Sequence, residues 1–259
     1  AGAFLYRILA GSHSLGPSKF YGKSSTLKNF SEIKVDGLIG SVTFFDAQMN
    51  EQMLGQWVFE KSKNEGTKVF EDQKVNSFTS DGIIKTDLFG EKKYDLVINA
   101  AGPWAADLNK KNGINSKYYL RLIRGSHLIF DHKISNYYLF QEPDDGRVVF
   151  VLPYLGKTMV GTTEIPQNNL DDPVCSEDER NYLLNIYNQN LKNNVSEKDI
   201  ESEFSGLRPI VGMVDEKKQL NFSNASRDSE IEVCGQLITV YGGKWTSAPS
   251  LFGKIVKTL

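Results

Sequence analysis

Two cysteines in 259 residues, Cys175 and Cys234, stand far apart and outside any C-x-x-C or Cys/His cluster. That removes a disulfide framework and a thiolate metal site as organising devices, and a reduced cytoplasmic compartment fits such usage. No apolar run reaches about 18 residues, which excludes a membrane-spanning helix. The amino terminus also lacks the charged-then-apolar pattern of a signal peptide. Excess charge of one sign is missing: 30 Lys and Arg against 32 Asp and Glu leave a net charge of -2, so there is no basic field for nucleic acid. There is no internal repeat and no low-complexity segment. The dinucleotide fingerprint G-x-G-x-x-G is absent as well, because Gly11-Ser-His-Ser-Leu-Gly16 has no strand before it and no helical pattern after it. The chain opens Ala1-Gly-Ala-Phe-Leu-Tyr, without a Met and already inside an apolar helix pattern, so a fragment is expected.

What is present is a soluble, globular pattern with 40% hydrophobic residues, enough for a sizeable core. Residues 11–30, rich in Gly, Ser and Lys around Gly16-Pro17, read as a surface loop. A short β stretch spans 37–45. Asp46 is expected to cap a helix in which Met49, Met53, Leu54, Trp57 and Val58 recur at helical spacing and form a buried face. Gly66 ends that helix. Three short β runs follow, at 67–70, 74–78 and 83–88, the last after an Asp81-Gly82 turn.

Residues 94–104 then carry an apolar strand into the small-residue turn Ala100-Ala101-Gly102 and Pro103-Trp104, where backbone can approach a bulky ligand closely. A plain tight turn, with Trp104 as a core aromatic, would look the same. From Leu120 the pattern becomes an antiparallel sheet with strands at 121–130, 137–141, 147–153 and 158–163, and a turn at 143–146. Ser176-Glu-Asp-Glu179 is a capping box, opening a helix striped by Tyr182, Leu183, Ile186 and Tyr187. Another short helical turn starts at Ser196, and strands return at 201–210 and 230–233.

The chain closes on strand, glycine turn and helix: Leu237 to Tyr241, Gly242-Gly243-Lys244, then the apolar spacing from Thr246 with Pro249 in the first turn. Such a turn offers bare N–H groups and a positive helix end to an electron-rich ligand edge, although an ordinary strand-to-helix connection has the same form.

Six motifs, in order, carry a resemblance: DLVINAAGPW (95–104), LRLIRGSH (120–127), VFVLPYLGKTMVGTT (149–163), FSGLRP (204–209), SRD (226–228) and VYGGKWT (240–246). Together they resemble the FAD-dependent glycerol-3-phosphate dehydrogenase family, within the wider superfamily of FAD-dependent amine and 2-hydroxy-acid oxidoreductases. The family's amino-terminal GxGxxG unit and carboxy-terminal helical domain are not matched.

The resemblance implies a mixed α/β fold: residues 1–37 as a helix and loop of the substrate or cap region, 38–108 with 236–259 as a partial FAD-binding domain, and 109–235 as a substrate domain built on an antiparallel sheet. It implies oxidation of glycerol 3-phosphate to dihydroxyacetone phosphate, with hydride passing to FAD and electrons going on to quinone or oxygen. FAD contacts are expected at Val75, Ala100, Ala101, Gly102, Trp104, Gly242, Gly243, Lys244, Trp245 and Thr246.

Catalytic roles fall to His127, Arg208 and Lys244. Substrate binding falls to Arg208, Arg227, Lys244, Thr162 and Thr163. Arg offers a planar fork and Lys a point charge for phosphate oxygens, and His127, with a reference pKa near 6.5, is the candidate base. Taken singly, His127 reads equally as a core histidine, the arginines as surface ion-pair residues, and the two threonines as β formers. No metal is expected.

Without a pyrophosphate cradle the retained contacts, each worth about 0.5–1.5 kcal/mol, are too few for tight FAD binding. This chain alone is therefore expected to hold FAD weakly or not at all and to be inactive. An uncovered apolar face would favour a homo-oligomer, and peripheral contact with the inner face of the membrane is left open. The alternatives are a non-catalytic truncated relative acting as a binding module, and an amine or 2-hydroxy-acid oxidase of the same superfamily.

Overall fold

The computed structural model describes residues 2–142, 146–213 and 228–259. The first third of the chain forms α1 (Gly2–Ala10), β1 (Lys19–Gly22), α2 (Lys23–Asn29), β2 (Gly40–Thr43), α3 (Glu51–Asn64), β3 (Val75–Phe78), β4 (Ile83–Thr86), β5 (Gly90–Lys93) and β6 (Val97–Asn99). The middle forms α4 (Ala105–Lys111), β7 (Tyr118–Phe130), β8 (Tyr138–Gln141), β9 (Val148–Tyr154), β10 (Lys157–Gly161), β11 (Ile165–Gln167) and α5 (Glu177–Asn190). The last part forms β12 (Ile200–Met213), β13 (Ser229–Cys234), β14 (Leu237–Gly242) and α6 (Ala248–Val256). The fold is mixed α/β, and the chain divides into two compact units: residues 1–59, 127–162 and 175–204, and residues 60–126, 163–174 and 205–259. Among the described residues no helix is long and apolar enough to cross a membrane.

The first unit is built on the antiparallel ladder of the end of β7 with β10, β9 and β8. Alternation places Leu128 and Phe130, Val149 and Val151, and Val160 on one face, each 0% exposed. The helix α5 covers that face with Leu183, Leu184, Ile186 and Tyr187. At about 1.5–3 kcal/mol per buried large apolar side chain, this layer supplies most of the unit's stability. The helix begins where the sequence says: the Glu179 amide donates to Ser176 Oγ at 3.3 Å, and the Ser176 amide donates back to Glu179 Oε2 at 3.0 Å. Glu32 ties the amino-terminal segment to this core, accepting from the Tyr138 hydroxyl at 2.6 Å and the Ser135 amide at 2.9 Å.

The second unit holds the meander β3-β4-β5 and a three-stranded sheet ordered β13-β14-β6. Phe78, Val97 and Leu237 close its small apolar cluster.

Several local expectations are corrected. Residues 11–30 are not simply a loop. β1 pairs antiparallel with β2, and α2 follows directly, its buried Thr26 hydroxyl donating to Gly22 O at 3.0 Å. Tertiary pairing overrides the turn-like composition there. Asp46 is not the cap of α3: Asn50 Oδ1 accepts from the Met53 amide at 2.9 Å, while Asp46 accepts from the Ala47 amide. The α3 stripe is also not a buried face, since Met53 is 69% and Trp57 62% exposed. No described element packs deeply enough on it to bury a single α3 residue. Residues 67–70 form no strand. Phe70 instead meets Phe89 edge-on at 4.7 Å. The turn expected at 143–146 lies mostly outside the described residues.

His132 sits at the base of the α5 layer, its Nε2 2.8 Å from the Tyr187 hydroxyl. Burial holds its pKa below the ordinary value, against the opposing carboxylates Asp199, Asp131 and Glu32. A folded-state pKa lower than the unfolded one means the unfolded chain binds the proton first, so stability is complete above about pH 6.5 and is lost as pH falls through the lowered value. Denaturant unfolding followed from about pH 8 to pH 5 should show the wild-type chain losing stability over that window, with a flatter profile for His132→Gln; parallel profiles would show that His132 does not carry the effect.

Candidate functional site

The second unit places two strand-to-turn junctions side by side. β14 runs parallel to β6, with Leu237 opposite Val97, Ile238 opposite Ile98 and Thr239 opposite Asn99. Both strands therefore leave the sheet at the same edge, the carboxyl end where open α/β sheets bind ligands. From β6 the chain passes through Ala100 and Ala101 into a 3-10 turn, Gly102–Trp104, and then α4. From β14 it passes through Gly243 and Lys244 into a second 3-10 turn, Trp245–Ser247, and then α6.

Buried polar groups hold the two junctions together. Asn99 Nδ2 donates to Ala105 O at 3.0 Å and to Asn109 Oδ1 at 2.9 Å. Asn109 Nδ2 in turn donates to Thr239 Oγ1 at 3.0 Å and to the Tyr241 hydroxyl at 2.8 Å. The Tyr241 hydroxyl donates onward to Ser116 Oγ at 2.8 Å, and Ser116 donates to Glu232. Asn109 and Thr239 are 1% and 2% exposed, and burial pushes the Tyr241 phenol up from its ordinary pKa.

The glycines of these turns are of two kinds. Gly242 has φ +68°, and a Cβ there would stand 2.7 Å from Val211 Cγ2, 3.0 Å from Asp228 O and 3.4 Å from Pro209 O. It is glycine because its φ is positive and because the Val211 side chain and two carbonyl oxygens fill the space of a Cβ. Gly102 (φ +56°) has nothing within 4 Å of its Cβ position, and Gly243 (φ +102°) has only Ser229 Cβ at 3.5 Å and Leu251 Cδ2 at 3.7 Å. These two leave bare backbone, so neither turn obstructs the close approach of a flat, electron-rich ligand edge such as that of a flavin.

The contacts of Gly242 also show which motifs meet. Pro209 and Val211 of the SGLRP strand and Asp228 of the SRD segment all abut the turn that carries Lys244. Arg208 is half-buried and donates from Nη1 to Thr163 O at 3.1 Å. Thr163 is 1% exposed and accepts at Oγ1 from the Ser126 amide at 2.9 Å. Lys244 is exposed, with its backbone amide and carbonyl both used by Ser247 Oγ. Trp104 and Trp245 are 50% and 42% exposed, and Thr246 is exposed. Val75 opens β3, paired with Thr86 in the meander, which is a separate sheet. Arg227 lies outside the described residues.

In the first unit, His127 is half-buried on β7 and stacks on Phe204, with ring centroids 4.7 Å apart and planes 8° apart. Thr162 follows Gly161, the cross-strand partner of His127.

The sequence reading did not single out Asn99, Asn109, Tyr241 or Phe204. Asn99 had a signal: an asparagine between Ile98 and Ala100 in an apolar strand has to find buried partners. Asn109 had none, because its helix is short and its periodicity weak.

Comparison with known proteins places this chain among flavoproteins. The family described as FAD dependent oxidoreductase matches residues 5–256. An aerobic glycerol-3-phosphate dehydrogenase from Staphylococcus haemolyticus is 31% identical over 274 residues, covering 100% of this chain and 48% of the relative. The chain thus spans about half the length of the curated relatives it matches. Among solved structures, a glycerol-3-phosphate dehydrogenase from Bacillus halodurans complexed with FAD aligns with a TM-score of 0.75 at 22% identity, covering 100% of this chain and 54% of that one. An L-alpha-glycerophosphate oxidase from Mycoplasma pneumoniae with FAD bound aligns with a TM-score of 0.76 at 18% identity, covering 99% and 68%.

Replacing Asn109 by Ala leaves the buried Thr239 hydroxyl without its amide partner, at about 1–3 kcal/mol, and takes one hydrogen bond each from the Asn99 amide, which keeps Ala105 O, and the Tyr241 hydroxyl, which keeps Ser116, at about 0.5–1.5 kcal/mol apiece. We expect a loss of about 3 kcal/mol in chemical denaturation; a loss below about 0.5 kcal/mol would show that the network does not hold the junctions.

Proposed function

This chain belongs to the FAD dependent oxidoreductase family, and on that premise we propose that it is the substrate-handling part of a flavin-linked enzyme that oxidises glycerol 3-phosphate to dihydroxyacetone phosphate. The observation that carries the reading is the meeting of three motifs at one turn: Pro209, beside Arg208, and Asp228, beside Arg227, both abut Gly242 two residues before Lys244. Segments that carry Arg208 and Lys244 meeting at a glycine turn suit an anionic substrate held against a flat cofactor. The relatives named for glycerol 3-phosphate favour phosphate over carboxylate as that anion.

In this reading Ala100, Ala101, Gly102, Gly242, Gly243 and the segment Lys244 to Thr246 line the cofactor, with Trp104 beside them and Val75 toward the adenosine half. FAD, when bound, would supply the hydride acceptor and the route for electrons to quinone or oxygen. Arg208, Arg227 and Lys244 hold the phosphate dianion, and Thr162 and Thr163 supply hydroxyl donors. His127 takes the hydroxyl proton as C2–H leaves as hydride, so that the alcohol becomes a ketone and charge balances. A cytoplasmic site, with contact at the inner face of a membrane where the acceptor is quinone, is consistent with this chemistry.

The test is a visible absorption scan of the purified chain titrated with FAD, then with glycerol 3-phosphate. We expect weak FAD uptake and, in whatever fraction binds, bleaching by glycerol 3-phosphate and not by glycine or lactate. Arg208→Gln or Lys244→Gln should weaken the response to glycerol 3-phosphate about 10-fold or more, in line with about 1.5–3 kcal/mol for a charge-assisted hydrogen bond. Bleaching by a 2-hydroxy acid or an amine instead would replace this reading with an oxidase of the same superfamily.

A further inference from the structure

The seat of His127 is built from both neighbouring strands. On β10, Gly161 is its cross-strand partner. A Cβ at Gly161 would fall 2.2 Å from His127 Cδ2, 2.7 Å from Cγ and 2.9 Å from Nε2. The imidazole therefore occupies the volume in which a side chain at 161 would stand. Gly161 has no positive φ, so it is the ring, and not the backbone conformation, that calls for glycine there.

β10 and β11 follow one another along one edge of β7, pairing with residues 127–130 and then 122–124, and β12 takes the remaining edge. From β12, Phe204 lays its ring on His127 with the two planes almost parallel. Phe204 is 48% exposed, so core filling does not account for it. Its strand is held on both sides of the ring. Arg180 of α5 grips Glu203 with two hydrogen bonds, 2.9 and 3.1 Å, and Lys157 of β10 pairs with Glu201. One residue further, Ser205 and Ser126 share a hydrogen bond at 2.7 Å.

From this arrangement we propose that Phe204 is a positioning residue for His127: its ring, together with the room left by Gly161, fixes the plane in which the imidazole offers its nitrogens. Stacking covers a face of the imidazole and leaves its edge clear, and the edge is where both nitrogens donate and accept. Proton transfer needs a heavy-atom approach of about 2.6–3.2 Å with correct alignment, and a ring free to rotate about its side-chain bonds loses much of that alignment. The catalytic purpose of the seat rests on the reading of His127 as the base.

The chain has three histidines, so imidazole NMR resolves them without crowding, with His127→Asn to assign the signal. Exposed His13 serves as the free reference and His132, against Tyr187, as the reporter of an intact fold. The ring protons of His127 should lie upfield of those of His13 through the ring current of Phe204. Phe204→Leu should move them to the His13 position with His132 unmoved, Phe204→Tyr should restore them, and Gly161→Ala should displace them by pushing the imidazole off the phenyl ring. Titration with glycerol 3-phosphate should shift the His127 signals in the wild type and in Phe204→Tyr, with about 10-fold weaker response in Phe204→Leu, the equivalent of about 1.4 kcal/mol. Signals of His127 that match His13 in the wild type, or that ignore Phe204→Leu, would overturn the seat itself. A stack that is present while glycerol 3-phosphate moves His127 in no variant would leave the geometry standing and overturn both the positioning role and the reading of His127 as the base.

Discussion

The candidate cofactor edge depends on Asn109. This one buried amide receives Asn99 from β6 and donates to Thr239 and Tyr241 from β14, so that two strands far apart in sequence are held at the height where their turns begin. The parallel pairing of β6 with β14 is only three residues long, too short to fix the turns by ladder hydrogen bonds alone. A fully satisfied polar network is directional where apolar packing is not, and in a low-dielectric interior an incomplete one is costly. The arrangement trades hydrophobic burial for a single allowed register, and that register sets where Gly102 and Gly243 present bare backbone.

The other unit is organised by the opposite principle. Its α5 layer is apolar and continuous, from Leu128 through Val160 to Leu183, and its polar contacts sit at the margins, at Ser176 with Glu179 and at Glu32 with Tyr138. His127 lies on the same strand as Leu128 and Phe130, one position out of their alternation, so it faces away from that apolar layer. The sheet can thus keep a dense core on one side and a titratable ring on the other.

How much of this was legible follows from the range of the signals. The capping box at Ser176, the strands from Leu120 to Gly161 and the closing strand, turn and helix are local patterns, and each stands where its residues put it. The α3 stripe failed because helical periodicity reports an apolar face without reporting what covers it; Trp57 is exposed although its spacing is that of a core residue. The α2 helix and β1 strand were hidden because their stability comes from Ser41 and the β2 pairing, some fifteen residues away. At the site, the motif residues were legible as a set. Their supports, Asn109 and Phe204, were not, because a support is defined by the partner it meets in space.

Glycine marks the difference between structure and function here more sharply than the charged residues do. Gly242 and Gly161 are forced by neighbours: one by Val211 and the backbone of Asp228, the other by the imidazole of His127. Gly102 and Gly243 adopt positive φ with nothing, or almost nothing, against them. At these two positions the left-handed backbone alone calls for glycine, and a consequence is that no side chain covers the turn. Both turns follow the carboxyl ends of two parallel strands, so the uncovered backbone falls at the same edge of the sheet. The anion site proposed above lies at that edge too, where the strand that carries Arg208 meets the turn that leads to Lys244.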